Sequence, residues 1–198
     1  MAGRAGVLAL QGAFREHRRA LRDVGLDAVE VRVPSDLEGV DGLVIPGGES
    51  TTMSKLMQAY GLEDPIAELH ARGAPLLGTC AGMIVLARDA VDGRPDQRYL
   101  GLIDIDVRRN AYGRQTASFE APVRLAGEDL PMPGVFIRAP RIERLGDGVE
   151  VVAMLDDVPV AVRQGDVLVA AFHPELTGDR RLHARFAAMV MRRGAMAA

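Results

Sequence analysis

The sequence predicts an α/β fold: a mostly parallel central sheet flanked by helices in three layers, with some antiparallel strands in its second half. Three observations carry this. Short apolar runs alternate with helical patterns through the first half of the chain, the signature of a parallel sheet covered on both faces. Beyond residue 100 the strand candidates follow one another through links too short for helical crossovers, so several must pair antiparallel. The 198 residues, 48% hydrophobic and 26% charged, suit one domain with its own core, and residues 1–198 are read as a single domain.

Gly6–Leu10 is a first apolar run, followed by Gln11-Gly12 and a helix over Phe14–Val24, where Phe14, Leu21 and Val24 recur at helical spacing. Ala28–Val33 and Gly42–Ile45 read as the next strands, the latter ending at Pro46-Gly47-Gly48. Helices are expected over Thr51–Tyr60 and Pro65–Arg72, with Pro65 at a first helical position. Pro75–Gly78 is a fourth strand, and Ala81–Ala87 resumes a helical pattern. Further strands are expected at Ile103–Val107, Ala121–Leu125, Val135–Ile137, Val149–Leu155, Val158–Val162 and Leu168–Phe172, before a last helix over Arg180–Arg193. Asp89–Tyr99 is read as a loop.

Composition narrows the function classes. The longest apolar runs fall far short of the roughly 20 residues that span a bilayer, so no membrane segment is expected. The N-terminus lacks the pattern of a signal peptide, and the expected location is cytoplasmic. With net charge −3 and scattered arginines, no nucleic-acid partner is expected. Lys55 is the only lysine, which excludes lysine-based covalent chemistry elsewhere. No His/Cys/Asp/Glu cluster has ligand spacing, so neither a metal nor another cofactor is expected.

Cys80 is the one cysteine and has no disulfide partner within the chain. It sits in Gly78-Thr79-Cys80-Ala81-Gly82, at a strand-to-helix junction with small residues two before and two after it, the layout of a nucleophile elbow. The helix beginning at Ala81 aims N–H groups and its positive end at the sulfur, the setting that thiolate attack requires. Taken alone, the pattern also fits a buried cysteine in a glycine-rich turn.

The run Val167–Phe172 delivers His173-Pro174-Glu175 at a strand's C-terminal end. In extended backbone, residues two apart share a side, so the Glu175 carboxylate can hold one nitrogen of His173 and leave the other to take the thiol proton. By itself this tripeptide fits a surface turn. Two such motifs at the C-terminal ends of parallel strands, where open α/β sheets place their sites, point to a Cys80, His173, Glu175 triad. His17, His70 and His183 lie in helical segments next to charged residues and are read as solvated.

A thiol attacking an amide needs donors for the oxyanion. The Ala81 N–H is one candidate, and the Gly47-Gly48 loop, with backbone N–H groups such as that of Gly48, is another. Ser50 or Thr51 is expected to cap the next helix. Arg109 and Arg138 would suit a substrate α-carboxylate and Glu49 an α-ammonium; surface ion pairs are the other reading of the arginines.

Together, Pro46-Gly47-Gly48-Glu49-Ser50-Thr51-Thr52-Met53, the Cys80 elbow, Arg109-Asn110 with Gly113-Arg114-Gln115, Ser118-Phe119-Glu120, Phe136-Ile137-Arg138-Ala139-Pro140 and Phe172-His173-Pro174-Glu175-Leu176-Thr177 resemble one family over nearly the whole chain. It is the family of glutaminase subunits of pyridoxal 5'-phosphate synthase, PdxT/SNO, among the class I (triad) glutamine amidotransferases. The resemblance implies a flavodoxin-like fold of that class. It implies L-glutamine as substrate, contacted by Gly48, Glu49, Ser50, Arg109, Ile137 and Arg138, with Cys80, His173 and Glu175 as the triad. It also implies a partner, the synthase (lyase) subunit of a hetero-oligomeric complex, which receives the ammonia.

Overall fold

The computed structural model describes residues 3–109, 111 and 118–196, with side chains through residue 194. Its elements, in order, are β1 (Arg4–Leu8), α1 (Phe14–Asp23), β2 (Asp27–Val31), β3 (Gly42–Ile45), α2 (Ser50–Ala59), α3 (Glu63–Ala71), β4 (Leu76–Thr79), α4 (Ala81–Leu86), β5 (Ala87–Ala90), β6 (Ile103–Arg108), β7 (Ser118–Leu125), β8 (Met132–Ile137), β9 (Arg141–Leu145), β10 (Glu150–Leu155), β11 (Val158–Gln164), β12 (Val167–Ala170) and α5 (Arg181–Met196). Short 3-10 turns stand at Pro34–Leu37 and Pro174–Leu176.

Among the described residues, nine strands form one sheet in the order β2-β1-β3-β4-β12-β11-β10-β7-β8. The five from β2 to β12 are parallel, and the rest of this sheet pairs antiparallel, as the short links between them require. Strands β3, β4 and β12 are buried at every residue, which is why each reads as an unbroken apolar run rather than an alternating one. Helix α1 lies beside α5 and α2 beside α4, so helices flank the parallel half as the α/β pattern demands. A second sheet, β5-β6-β9, carries Arg88 and Arg144 in ion pairs with Asp104 and Asp106. No helix among the described residues is long and apolar enough to cross a membrane.

Several boundaries differ from expectation. Helix α3 starts at Glu63, so Pro65 is its third residue; first-turn N–H groups have no intrahelical acceptor, and a proline there removes nothing. Helix α4 stops at Leu86 because Ala87–Ala90 leaves to pair with β6. Arg141–Leu145 is a strand despite its charges, since it pairs with β6 and buries Ile142.

The topology decides where chemistry is possible. Strands β1, β3, β4 and β12 are consecutive neighbours and parallel, so the segments that follow them emerge at one edge of the sheet. These segments carry Gln11-Gly12, Gly47-Gly48-Glu49, Cys80 and His173.

Candidate functional site

Strand β4 ends at Thr79 and α4 begins at Ala81, leaving Cys80 alone to reverse the chain direction. It does so at φ 49° and ψ −103°, a conformation that costs a non-glycine residue energy and persists where packing enforces it. The Cys80 N–H donates to the Ala170 carbonyl at 2.8 Å, tying the elbow to β12. On its other side, a Cβ at Gly82 would lie 2.0 Å from the Ile45 carbonyl oxygen, so glycine lets the first turn of α4 sit on the end of β3. The residue is 6% exposed, and its sulfur lies 3.7 Å from the Ile137 carbonyl. First-turn N–H groups of α4, that of Ala81 included, have no acceptor within the helix.

Beyond β12, His173 and Glu175 meet as the extended geometry predicts, with His173 Nδ1 2.7 Å from Glu175 Oε1. The carboxylate has no side-chain exposure. Burial disfavours its charged form, but His17 and His173 beside it more than offset that, and its pKa is lowered from the ordinary value. Burial likewise opposes the His173 imidazolium. Hydrogen bonds to Cys80 and Glu175, with the attraction of both groups, win, and its pKa is raised to about 10. His173 and the Gly47-Gly48 loop are fitted together, since a Cβ at Gly47 would lie 2.2 Å from His173 Cε1.

One cleft is lined by Cys80, His173 and Ala81 on the sheet side, by Gly48, Glu49 and Ser50 from the loop after β3, and by Arg109, Ile137 and Arg138 from the strand ends opposite. Ile84, which sequence reasoning passed over, completes the wall from the next turn of α4. Glu175 stands behind His173, outside the cleft. Asn110, Gly113, Arg114 and Gln115, which contributed to the resemblance, lie outside the described residues.

Glu49 corrects the capping expectation. It is the N-cap of α2 itself, its carboxylate accepting from the N–H groups of Thr51 at 3.2 Å and Thr52 at 2.7 Å, while Ser50 and Thr51 are helical. The same carboxylate pairs with Arg109 Nη2 at 3.2 Å. Arg109 is further held by Gln97, whose Oε1 accepts from Nη1 at 3.2 Å, and by Asp92, which accepts from its backbone N–H at 2.8 Å. Gln97 is 6% exposed. The loop read at Asp89–Tyr99 thus positions an arginine of the cleft. It is fastened to α2 through Ser54, which bonds both backbone groups of Arg98, and through the Lys55–Asp96 ion pair.

His17 and His183 are not solvated: both are fully buried where α1 meets α5. The charged neighbours Glu16 and Arg19 occupy the outer face of α1, while His17 shares the inner one with Ala20 and Leu21, three and four residues on. His183 stands in the same relation to Phe186 and Ala187. That spacing was the available signal. His70 is half-buried, 3.1 Å from the Ala74 carbonyl.

The arrangement offers a strained thiol, a base with an ionised orienter and a cleft holding one carboxylate and two guanidinium groups, the equipment for acyl transfer on an amino-acid amide. Comparison with known proteins points the same way. A family model for the SNO glutamine amidotransferase family matches residues 7–192. The chain is 58% identical over 185 residues to a Mycobacteroides abscessus protein named pyridoxal 5'-phosphate synthase subunit PdxT, covering 93% of this chain and 96% of the other. Proteins of that name from Frankia alni and Deinococcus radiodurans are similar too. The first is 55% identical over 192 residues, covering 96% of each chain, and the second 56% over 184 residues, covering 91% and 94%. A solved glutamine amidotransferase superposes with a TM-score of 0.89 at 52% identity, over 94% of this chain and 98% of that one. The structure of PurLQS from Thermotoga maritima, at 17% identity and a TM-score of 0.67 over 100% and 99% of the two chains, shares the fold.

Proposed function

Because the chain belongs to the SNO glutamine amidotransferase family, we propose that residues 1–198 serve as one glutaminase domain that hydrolyses L-glutamine to L-glutamate and ammonia for pyridoxal 5'-phosphate synthesis. The ammonia passes to a synthase (lyase) subunit in a hetero-oligomeric complex, in the cytoplasm. The observation that carries the chemistry is the conjunction of the Cys80 elbow with the 2.7 Å His173–Glu175 pair at the edge of one cleft.

Glutamine enters with its α-ammonium on Glu49 and its α-carboxylate on Arg109 and Arg138, residues that line the cleft together, Glu49 and Arg109 already as an ion pair. Its amide carbon then lies over the sulfur. Attack by the Cys80 thiolate forms a tetrahedral intermediate whose oxyanion takes hydrogen bonds from the N–H groups of Ala81 and Gly48. His173, protonated and held by Glu175, gives its proton to the departing nitrogen, and the C–N bond breaks to release ammonia. Water, deprotonated by His173, then attacks the glutamyl thioester, and glutamate leaves with the thiolate restored.

The test is glutamine hydrolysis by the chain with and without its synthase partner, together with labelling of Cys80 by a glutamine-mimicking electrophile. Turnover that is coupled to pyridoxal 5'-phosphate formation and abolished by labelling supports the reading. Turnover that survives full labelling of Cys80 rejects it.

A further inference from the structure

Glu175 has a second histidine neighbour. While His173 occupies Oε1, the buried Oε2 has no aligned hydrogen bond among the described residues, and His17 Nε2 stands 3.2 Å from it. The same nitrogen lies 3.0 Å from Thr79 Oγ1, one residue before the nucleophile. The other nitrogen of His17, Nδ1, is 3.0 Å from His183 Nε2. Strand β4, the turn after β12, α1 and α5 therefore meet at one imidazole.

Proton counting fixes the tautomers. Burial lowers the pKa of both histidines, that of His183 well below the ordinary value, so each carries one proton at neutral pH. Suppose the proton of His17 were on Nδ1. It would donate to His183 Nε2, which would force the proton of His183 onto Nδ1, a buried atom with no partner among the described residues. The bare Nε2 of His17 would then face an ionised carboxylate. With the proton on Nε2 instead, His17 directs its N–H at Thr79 Oγ1 with Glu175 Oε2 3.2 Å from the same nitrogen, and its Nδ1 accepts from His183. The only unmet atom on either ring is then the lone pair of His183 Nδ1, a far smaller penalty than a buried N–H without an acceptor.

We propose that His17 is a positioning residue for the triad: its Nε2–H, on the ring whose Nδ1 accepts from His183, braces Glu175 and, through it, His173. The inference rests on reading Cys80, His173 and Glu175 as the triad. The physical need is plain. A buried carboxylate anchored at one oxygen can swing about that contact and carry the imidazole with it, whereas a donor at the second oxygen removes the rotation. The charged and titratable groups around His17 are Glu175 and His173 from the turn after β12, His183 from α5 and Glu16 from its own helix; Arg180 acts on His183.

The experiment compares His17→Leu, His17→Gln, His183→Leu and Cys80→Ala in the complex with the synthase subunit, with nitrogen NMR of the imidazoles in the full chain. Gln places an N–H donor near the position of Nε2, and Leu does not. The expected result for His17→Leu is a kcat lowered on the order of tenfold, the scale of one hydrogen bond to a charged group, with KM unchanged. Its acid limb in kcat/KM should move to higher pH, because Glu175 loses a donor that favours its ionised form. His17→Gln should restore most of both, His183→Leu should leave the proton of His17 on Nε2, because an Nδ1–H facing leucine would be a buried donor without an acceptor, and the native resonance should show a proton on Nε2. A native Nδ1–H tautomer, or a His17→Gln variant no better than a folded His17→Leu, overturns the inference. If His17→Leu does not fold, the native tautomer and the kcat and acid limb of His17→Gln decide, and a folded His17→Gln variant that loses on the order of tenfold in kcat overturns it. Cys80→Ala separates the two levels: hydrolysis surviving in it removes the triad reading itself.

Discussion

Gln97 Oε1 accepts a 3.2 Å hydrogen bond from Arg109 Nη1, so a residue on a long loop aims a guanidinium at the cleft from behind. Arg109 then has Gln97 on one nitrogen and Glu49 on the other, which leaves its remaining donors for substrate. Gln97→Leu, similar in volume, should raise the glutamine KM by about tenfold with little change in kcat, because the α-carboxylate does not alter during reaction and its contact is uniform binding. Arg109→Ala and Arg138→Ala should raise KM further. Calorimetry on Cys80→Ala backgrounds checks this, and normal glutamine affinity in all three variants would refute the pocket.

Cys80→Ala should abolish hydrolysis while melting within a few degrees of the native chain, since the truncated side chain is small and opens only a minor cavity. His173→Asn should lose on the order of 10⁴-fold or more in kcat, and Glu175→Gln less, because surrounding geometry partly replaces the orienter. Since His173 stays protonated up to about pH 10, its loss of charge should appear in kcat/KM as an alkaline limb near that pH. A limb near pH 6.5 would show that the imidazolium is not stabilised by Cys80 and Glu175.

How much of this was legible in sequence depends on the range of the contacts. Strands β3, β4 and β12 were plain because full burial leaves contiguous apolar runs, and the elbow and His173-Pro174-Glu175 were plain because each is local. Arg141–Leu145 was not, since its pairing partner β6 is distant in sequence and only Ile142 of its residues is buried. Gln97 escaped for the same reason: nothing near it predicts a hydrogen bond to residue 109. The burial of His17 is signalled only by its spacing to Ala20 and Leu21, which the charged residues beside it mask.

The two buried histidines make stability depend on pH on the acid side. Their folded pKa values are lowered, so below about 6.5 the unfolded chain binds protons that the folded chain does not, and stability falls as pH falls. Each contributes at most about 1.4 kcal/mol per pH unit over that window. Glu175, also lowered, adds to the loss once the pH drops below 4.5. Thermal unfolding between pH 7.5 and pH 5 should show a falling Tm in the native chain, and His183→Leu should flatten the curve. An unchanged slope in that variant would mean His183 is protonated when folded.

The Gly47-Gly48 loop, proposed to supply an oxyanion donor, is clamped by the loop that follows β1. Gln11 Nε2 donates to the Glu49 carbonyl at 2.5 Å, and Gln11 Oε1 accepts from the Glu49 N–H at 3.3 Å. The Gly47 carbonyl oxygen packs so closely on Gly12 that a Cβ there would lie 1.7 Å from it. In a trans peptide the carbonyl and the N–H point in opposite directions, so this contact puts the Gly48 N–H on the face away from Gly12. A flip of the Gly47-Gly48 peptide would reverse both, at low steric cost for two glycines, and one oxyanion donor is worth about 10²–10³ in kcat. A partner that pressed on the Gln11-Gly12 loop would act on the donor without touching the triad, and its binding energy would select between the two peptide orientations. A subunit that makes ammonia for another active site would waste glutamine if it fired alone. The expectation is that the isolated chain hydrolyses glutamine slowly, that titration with the synthase subunit raises kcat by roughly the value of one donor, and that Gln11→Ala loses most of that gain while still binding the partner. Full activity of the isolated chain, unchanged at saturating partner, would refute the coupling and make the two-residue clamp a purely structural contact.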